Sequence, residues 1–307
     1  MDGLVALQHA APAPALALAD IEAVMWRDAA AAGLTDTLAM AARVCAAQLG
    51  LPPLHAPSAS PPALPESGDW RDLDGLTEPL TTALRFAEQF SCDVSGIDDT
   101  LRGEVIAALG ASVGTYVQGL YVVDFLPRVR AALDGFFGAS SWPGAGGAAF
   151  DGDLWAAMDV LIRSVPQLTA LDPVTSEIVR LRGARQHQCR ICQSIRSRPA
   201  LLAGADDDVF AAIDTYESSD LPASQRAALA FTDAMIWTPG RIEPGTYDAV
   251  MTHFSPEARV ELILDITRNA LNKVAVAMKA DDPHVTEGYE IYDIEPNGDL
   301  VYGLSLA

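Results

Sequence analysis

Residues 172–198 read Asp172-Pro-Val-Thr-Ser-Glu177-Ile-Val-Arg180-Leu-Arg-Gly-Ala-Arg-Gln-His187-Gln-Cys189-Arg-Ile-Cys192-Gln-Ser-Ile-Arg196-Ser-Arg198. The stretch opens as a helix does: an aspartate to cap, a proline in the first turn where no N–H is lost, and an early carboxylate. Ile178, Leu181 and Ala184-Arg185 then follow at helical spacing. The helix pauses at Gln186-His187-Gln188 and resumes, which puts two cysteines within one turn, where they can close a short disulfide. Unpaired N–H groups and the helix dipole at such a restart favour thiolate, and thiolates attack peroxides and disulfides far faster than thiols do. Arg190 and Arg196 add positive charge. They belong to a basic run, with Arg180, Arg182, Arg185 and Arg198, that forms an island in a chain of formal net charge −21.

Outward from this stretch the signals stay helical. Ser224 precedes Ala227 to Met235, and Ser255-Pro256-Glu257 starts a long helix through Ile263, Ile266, Ala270 and Val274. A constant shift of 145 residues aligns the two halves: Ala83-Leu84-Arg85-Phe86-Ala87-Glu88 falls on Ala228-Leu229-Ala230-Phe231-Thr232-Asp233, Ile97-Asp98 on Ile242-Glu243, and Arg128-Val129 on Lys273-Val274. Such a register over a long stretch reads as an internal duplication. Cys189 and Cys192 fall opposite Val44 and Ala47, so the first copy lacks the pair. The expected organisation is two similar helical lobes, 1–137 without the pair and 153–307 with it, joined by a Gly/Ser/Pro-rich linker, 138–152. A loop with six prolines, Leu51 to Gly68, interrupts the first lobe. The tail departs from the helical pattern, because Tyr289-Glu-Ile-Tyr-Asp-Ile and Leu300-Val-Tyr-Gly-Leu alternate around Pro296-Asn297-Gly298-Asp299 as a short β-hairpin would. The fold class is therefore all-α with a C-terminal hairpin.

At 307 residues the chain can bury a large core. Its acidity repels a phosphate backbone, which excludes nucleic acid as a partner. Val105 to Val123 runs without a charge, close to a membrane span in length. Its glycines, Ser112, Thr115 and Gln118, together with Glu257, Arg259 and Glu261 at the corresponding place in the second half, read instead as a buried helix, with no membrane partner. Met1-Asp2-Gly3 lacks the basic start of a signal peptide. Four cysteines are too few for a secreted disulfide scaffold, so the expected compartment is the reducing cytoplasm. Cys45 and Cys92 read as small buried apolar residues. A lone Cys-x-x-Cys is also half of a zinc site, but His253 and His284 stand far off without ligand neighbours, so neither a metal nor another cofactor is expected.

The motif resembles that of the alkylhydroperoxidase-D-like (carboxymuconolactone decarboxylase-like) family: a glutamate, eleven intervening residues, Cys-x-x-Cys, then a histidine four residues after the second cysteine. Glu177, Cys189 and Cys192 keep that spacing, and the resemblance covers Leu168 to Met278, more faintly Leu76 to Ala132. It implies an all-helical, homo-oligomeric protein that reduces a small hydroperoxide and is reset by a thiol or a protein electron donor. It also implies that Glu177 anchors a proton relay, that Cys192 is oxidised to sulfenate and that Cys189 resolves it, although the helix dipole alone makes Cys189 the more acidic thiol. The histidine position holds Arg196, which cannot shuttle a proton near neutral pH. His187 is the nearby imidazole that could take over. Arg180, Arg182 and Arg198 read as a solvated face or an interface with the acidic surface. Trp237, Tyr247, Asn269 and Asn272 read equally as lining for a pocket over the pair or as turn and core residues. Two other readings remain open on the same fold: a non-catalytic oligomeric scaffold or redox sensor, which the absent histidine favours, and a lactone decarboxylase, which would not need the cysteine pair.

Overall fold

Several helices start where a short polar capping side chain meets a proline in the first turn, as at Thr77, Asp172, Ser197 and Ser255. The computed structural model describes all residues except 60, 148 and 307. The first half builds α1 (Gly3–Ala10), α2 (Pro12–Ala31), α3 (Thr35–Leu49), α4 (Glu78–Cys92), α5 (Asp99–Leu109) and α6 (Val113–Phe137). The second builds α7 (Leu154–Ser164), α8 (Pro173–Gln186), α9 (Arg190–Gln193), β1 (Ile195–Ser197), α10 (Arg198–Leu202), α11 (Asp207–Ala212), α12 (Ala223–Trp237), α13 (Pro244–His253), α14 (Pro256–Ala270), α15 (Lys273–Ala277), β2 (Glu290–Ile294) and β3 (Leu300–Val301). Asp172 caps α8 by accepting from the Thr175 amide, and Ser255 caps α14 by accepting from Ala258. Ser224 lies inside the first turn of α12 and is not its cap, since the helix starts directly after Pro222.

The helices themselves repeat at the spacing read from the sequence. Shifted by 145 residues, α4 coincides with α12, the short turn Val94–Gly96 with Pro239–Arg241, and the start of α5 with that of α13. The packing repeats too, α3 lying against α4 and α6 as α8 lies against α12 and α14. The halves share one contiguous apolar core running from Ala6 to Ala277. α6 ends at Phe137 and α7 begins at Leu154, capped by Asp153, so the intervening segment is the crossing.

The apolar run Val105 to Val123 is not one buried helix. Gly110, at φ +53°, ends α5, and α6 starts at Val113, with continuous burial only from Gly119 onward. Glycine takes this left-handed backbone without the steric cost of a Cβ. The combined stretch 99–137 is long and apolar enough by composition to span a membrane. Its inner part instead packs into the core, with Asp124 and Arg128 buried in its middle.

Those two charges join the halves. Asp124 pairs with Arg128 at 2.6 Å and with Lys273 at 2.5 Å, all three side chains being at most 3% exposed. Arg128 also donates to the carbonyls of Ser91, Met235 and Ile236, and the Tyr121 hydroxyl donates to the Thr267 carbonyl. Arg128 and Lys273 are the equivalent cations of the two repeats, and both converge on one carboxylate.

The tail forms the expected hairpin, β2 pairing antiparallel with β3 through Asp293↔Val301 and Ile294↔Leu300. The sequence did not foresee the third strand. β1, which follows the cysteine pair, runs parallel to β2 with Ile195↔Glu290 and Ser197↔Tyr292, and so the tail is tied to the segment leaving Cys192.

Removing one partner of a buried ion cluster leaves uncompensated charge in the core. Asp124→Asn should therefore cost about 3–5 kcal/mol of stability, read from urea unfolding, and a loss below about 1 kcal/mol would show that the cluster does not hold the halves together.

Candidate active site

The end of α8 delivers the pair. The chain leaves the helix at His187, turns through Gln188 in the left-handed region (φ 52°), and is held by the Cys189 amide bonded to the Ala184 carbonyl at 2.8 Å. Cys189 then caps the single turn α9, its Sγ accepting from the Cys192 amide at 3.3 Å. Cys189 and Cys192 are joined as a disulfide, with Cα atoms 5.4 Å apart. The sulfurs are packed away, the residues being 1% and 3% exposed. Cys192 nonetheless lines a cavity of about 170 Å³, with Ile162, Ile191, Arg268, Asn269 and Tyr292 among its neighbours, whereas Cys189 does not reach it.

Glu177 lies one helix length behind the pair and is fully engaged. Arg180 grips it with two bonds of 2.7 and 2.8 Å, the Ser197 amide donates at 3.1 Å, and the Tyr292 hydroxyl at 3.3 Å. The same guanidinium donates to the carbonyls of Cys192 at 2.8 Å and Ile195 at 3.0 Å. Arg180 is thus a buried clasp between α8, the cysteine turn and β1, which corrects its reading as a solvated or interface residue. Burial alone would lower its pKa, but the Glu177 carboxylate and neighbouring phenols outweigh this and the net shift is upward. The signal was present as an acid and a base three apart on one helix face.

Most of the remaining basic island is spent on nearby carboxylates. Arg182 pairs with Asp233, Arg185 with Asp214, and Arg190 with Asp281 and Asp282. Asp281 also takes the amides of Arg190 and Ile191, so the start of α9 offers the sulfurs only the Cys192 amide. Of the run, Arg198 alone keeps a loose ionic contact, 3.8 Å from Asp293.

Arg196 sits on β1, bonded to the carbonyls of Gln193 and Ile195, with its guanidinium against the rings of Phe210 and Tyr289. Burial, then the neighbouring Arg180, lowers its pKa. It is not among the residues lining the Cys192 cavity. His187 is buried edge-on to Phe125 and also lies outside that lining. Burial, reinforced by Lys273 and Arg128, holds its imidazole well below the usual histidine range. Asn269 and Asn272 do line the cavity, while Tyr247 packs against Phe136 and Phe231, and the Trp237 indole bonds Gln186. Cys45 is buried and Cys92 is exposed, the latter contrary to its reading as a core residue.

Arg180, Arg268 and Tyr292 also form one wall of a second cavity, of about 430 Å³, whose other polar lining includes Glu177, Glu261 and Asp265. Glu261, which the sequence offered only as a sign against a membrane span, is 4% exposed and accepts from the Ala170 amide. Burial and the nearby Asp265 push its pKa up to about 7. Burial lifts Asp265 to about 6, opposed by its bond from Ser176.

Both carboxyls are raised on folding, so the stability they permit is complete below the ordinary carboxylate range and is lost as pH rises through about 6 and about 7. Glu261→Gln removes the larger part of this dependence. Its unfolding midpoint relative to wild type should climb steadily between pH 5 and pH 8, and a flat difference over that interval would rule the buried acid out.

No family model matches the chain, and no solved structure matches it. Two Mycobacterium tuberculosis proteins, named uncharacterized protein Rv2313c (strain H37Rv) and uncharacterized protein MT2376 (strain CDC 1551), are each 42% identical to it over 224 residues, covering 71% of this chain and 79% of the relative. Uncharacterized protein YnjA of Escherichia coli K12 is 30% identical over 93 residues, covering 30% of this chain and 51% of the relative.

Proposed function

The chain belongs to the same family as Mycobacterium tuberculosis Rv2313c, and we propose that this member is a thiol-dependent hydroperoxide reductase that cycles Cys189 and Cys192 between dithiol and disulfide. The observation that carries the reading is a disulfide within one helical turn, one residue of which, Cys192, lines a largely apolar cavity. In the reduced protein the Cys192 thiolate attacks the outer peroxide oxygen. The O–O bond breaks, an S–O bond forms, and the departing alkoxide takes a proton to leave as alcohol. The Cys189 thiolate then attacks Cys192 Sγ, the S–S bond forms, and hydroxide leaves with a proton as water. Two electrons pass from the two sulfurs to the peroxide, and an external thiol or protein donor returns them. Cys192 faces the cavity, and Cys189 accepts the Cys192 amide, which supports attack at the former and resolution by the latter.

The proton path expected from a histidine has a different supporting group here. The Tyr292 hydroxyl bonds Glu177 and its side chain lines the Cys192 cavity, linking the carboxylate to the reacting centre without Arg196 or His187. The resemblance to the alkylhydroperoxidase-D-like family adds a homo-oligomer, and the redox cycle calls for a reducing, cytoplasmic setting. One observation favours a second reading, a redox sensor without turnover: Arg196 is clamped between two aromatic rings where the family motif has its histidine.

Because Cys92 is an exposed free thiol, the test belongs in a Cys92→Ser background. One equivalent of an alkyl hydroperoxide should remove two thiols per chain together, Cys189→Ser should stop at a trappable sulfenic acid, and Cys192→Ser should not react. Failure to lose two thiols together sinks the reductase. Loss of two thiols that no added dithiol restores to repeated turnover selects the sensor.

A further inference from the structure

The Cys192 cavity has an apolar lining of Ile162, Ile191, Ile195, Leu271 and Leu300, and one cation, Arg268, that forms no ion pair among the described residues. Arg268 spends its Nε on the Ile162 carbonyl at 2.8 Å. Among the described residues neither Nη is bonded to a protein acceptor, and no carboxylate lies within ion-pair distance. Arg180, Arg182, Arg185 and Arg190 each spend their guanidinium Nη groups on a carboxylate or carbonyls, and that of Arg196 lies between two rings, whereas the forked end of Arg268 meets the cavity. Asp265, its nearest acidic neighbour on α14, gives its carboxylate to Ser176. Arg180, on the same wall, is already filled by Glu177 and two carbonyls. Burial lowers the Arg268 pKa, with Tyr292 and Asp265 opposing and Arg180 adding to the drop, as expected for a desolvated cation short of counter-charge.

A guanidinium with its forked end free, in a partly desolvated wall, is a ready partner for a carboxylate. We propose that this cavity selects organic hydroperoxides bearing a carboxylate, the acid group seated on the free end of Arg268, the carbon body on the isoleucines and leucines, and the peroxide at Cys192 Sγ. The inference rests on the reductase reading above. It adds a substrate class that hydrogen peroxide, with neither carbon body nor charge, does not satisfy. The reaction is the balanced one already given, with the carboxylate unchanged throughout. The whole-protein field works against such a ligand, because the net charge is −21, so any preference for an anion must come from a local contact.

The test compares 4-hydroperoxy-4-methylpentanoic acid with its methyl ester in the reduced Cys92→Ser protein at pH 7, by stopped-flow measurement of disulfide formation. A charge-assisted contact predicts roughly ten- to hundredfold faster oxidation by the acid than by the ester. The ratio should fall to near one in Arg268→Met and recover in part in Arg268→Lys. Equal rates for acid and ester in the otherwise wild-type cavity overturn the proposal while leaving the reductase standing, and this comparison needs no Arg268 variant to fold. A preference that survives in folded Arg268→Met assigns the anion to another group and also overturns it. If neither hydroperoxide oxidises the pair faster than it does the Cys192→Ser protein, the reductase reading and this one fall together.

Discussion

Asp124 sits in the core with a cation from each half bound to its carboxylate, and the placement of nearly everything else follows from that arrangement. Three charges without water are costly, and the cost is bearable only where geometry is close and spare donors find carbonyls. Arg128 meets the second condition by reaching Met235 and Ile236 at the end of α12. Lys273 meets the first, its ammonium 2.5 Å from the carboxylate and its pKa lowered by burial against the pull of Asp124. The cluster also decides where chemistry cannot happen. The two cations reinforce burial in keeping His187 neutral, and burial, aided by Asp124, lifts the Cys45 thiol to about 12. Cys45 and the nearby imidazole are thereby kept un-ionised and out of reach.

With α6 fixed against α15, α14 is held across α8, and the site inherits its walls. Asn269 is the second-repeat equivalent of Asp124. Where the first repeat carries a charge that clamps the halves, the second carries a neutral amide that donates to the Arg180 carbonyl. The approach is close enough that a Cβ on Gly183 would fall 2.6 Å from the Asn269 amide nitrogen, so any larger residue there would displace that amide. Asn269 and Arg268 then face the cavity of Cys192. One duplicated helix has thus taken two tasks, cohesion in the first copy and site building in the second.

How much of this was legible depends on the range of the interactions involved. Helix starts at Asp172 and Ser255, the repeat, the tail hairpin and the cysteine pair are local or periodic, and one chain displays them in full. Ser224 misled because proline at position 222 sets the start of α12 by itself. The break at Gly110 was hidden inside an apolar run, where composition outweighed a single residue. The clasp role of Arg180 could not be ranked from sequence above five other arginines, since all lie in one stretch and only the fold decides which points inward. Glu261, Asp265 and Arg268 were invisible as a group for the same reason. On paper they are the polar face of an amphipathic helix, and only the packing of α7 and α8 encloses them.

The tail shows why the motif alone misplaces the centre of the site. Read along the chain, the resembled motif would set a histidine at position 196, and arginine there suggests a loss. In space, that position has been drawn into β1, with its side chain clamped between Phe210 and Tyr289 away from the cavity. The strand pairing that draws it there sets Ser197 opposite Tyr292 and brings the phenol over the Arg180 guanidinium, 5.5 Å away, and onto Glu177. Removing the histidine position from the site and inserting a hydroxyl from the hairpin are consequences of one register. A site assembled in this way depends on residues about a hundred positions beyond the cysteines, so the C-terminal hairpin is structurally part of the candidate site and not an appendage to a helical core.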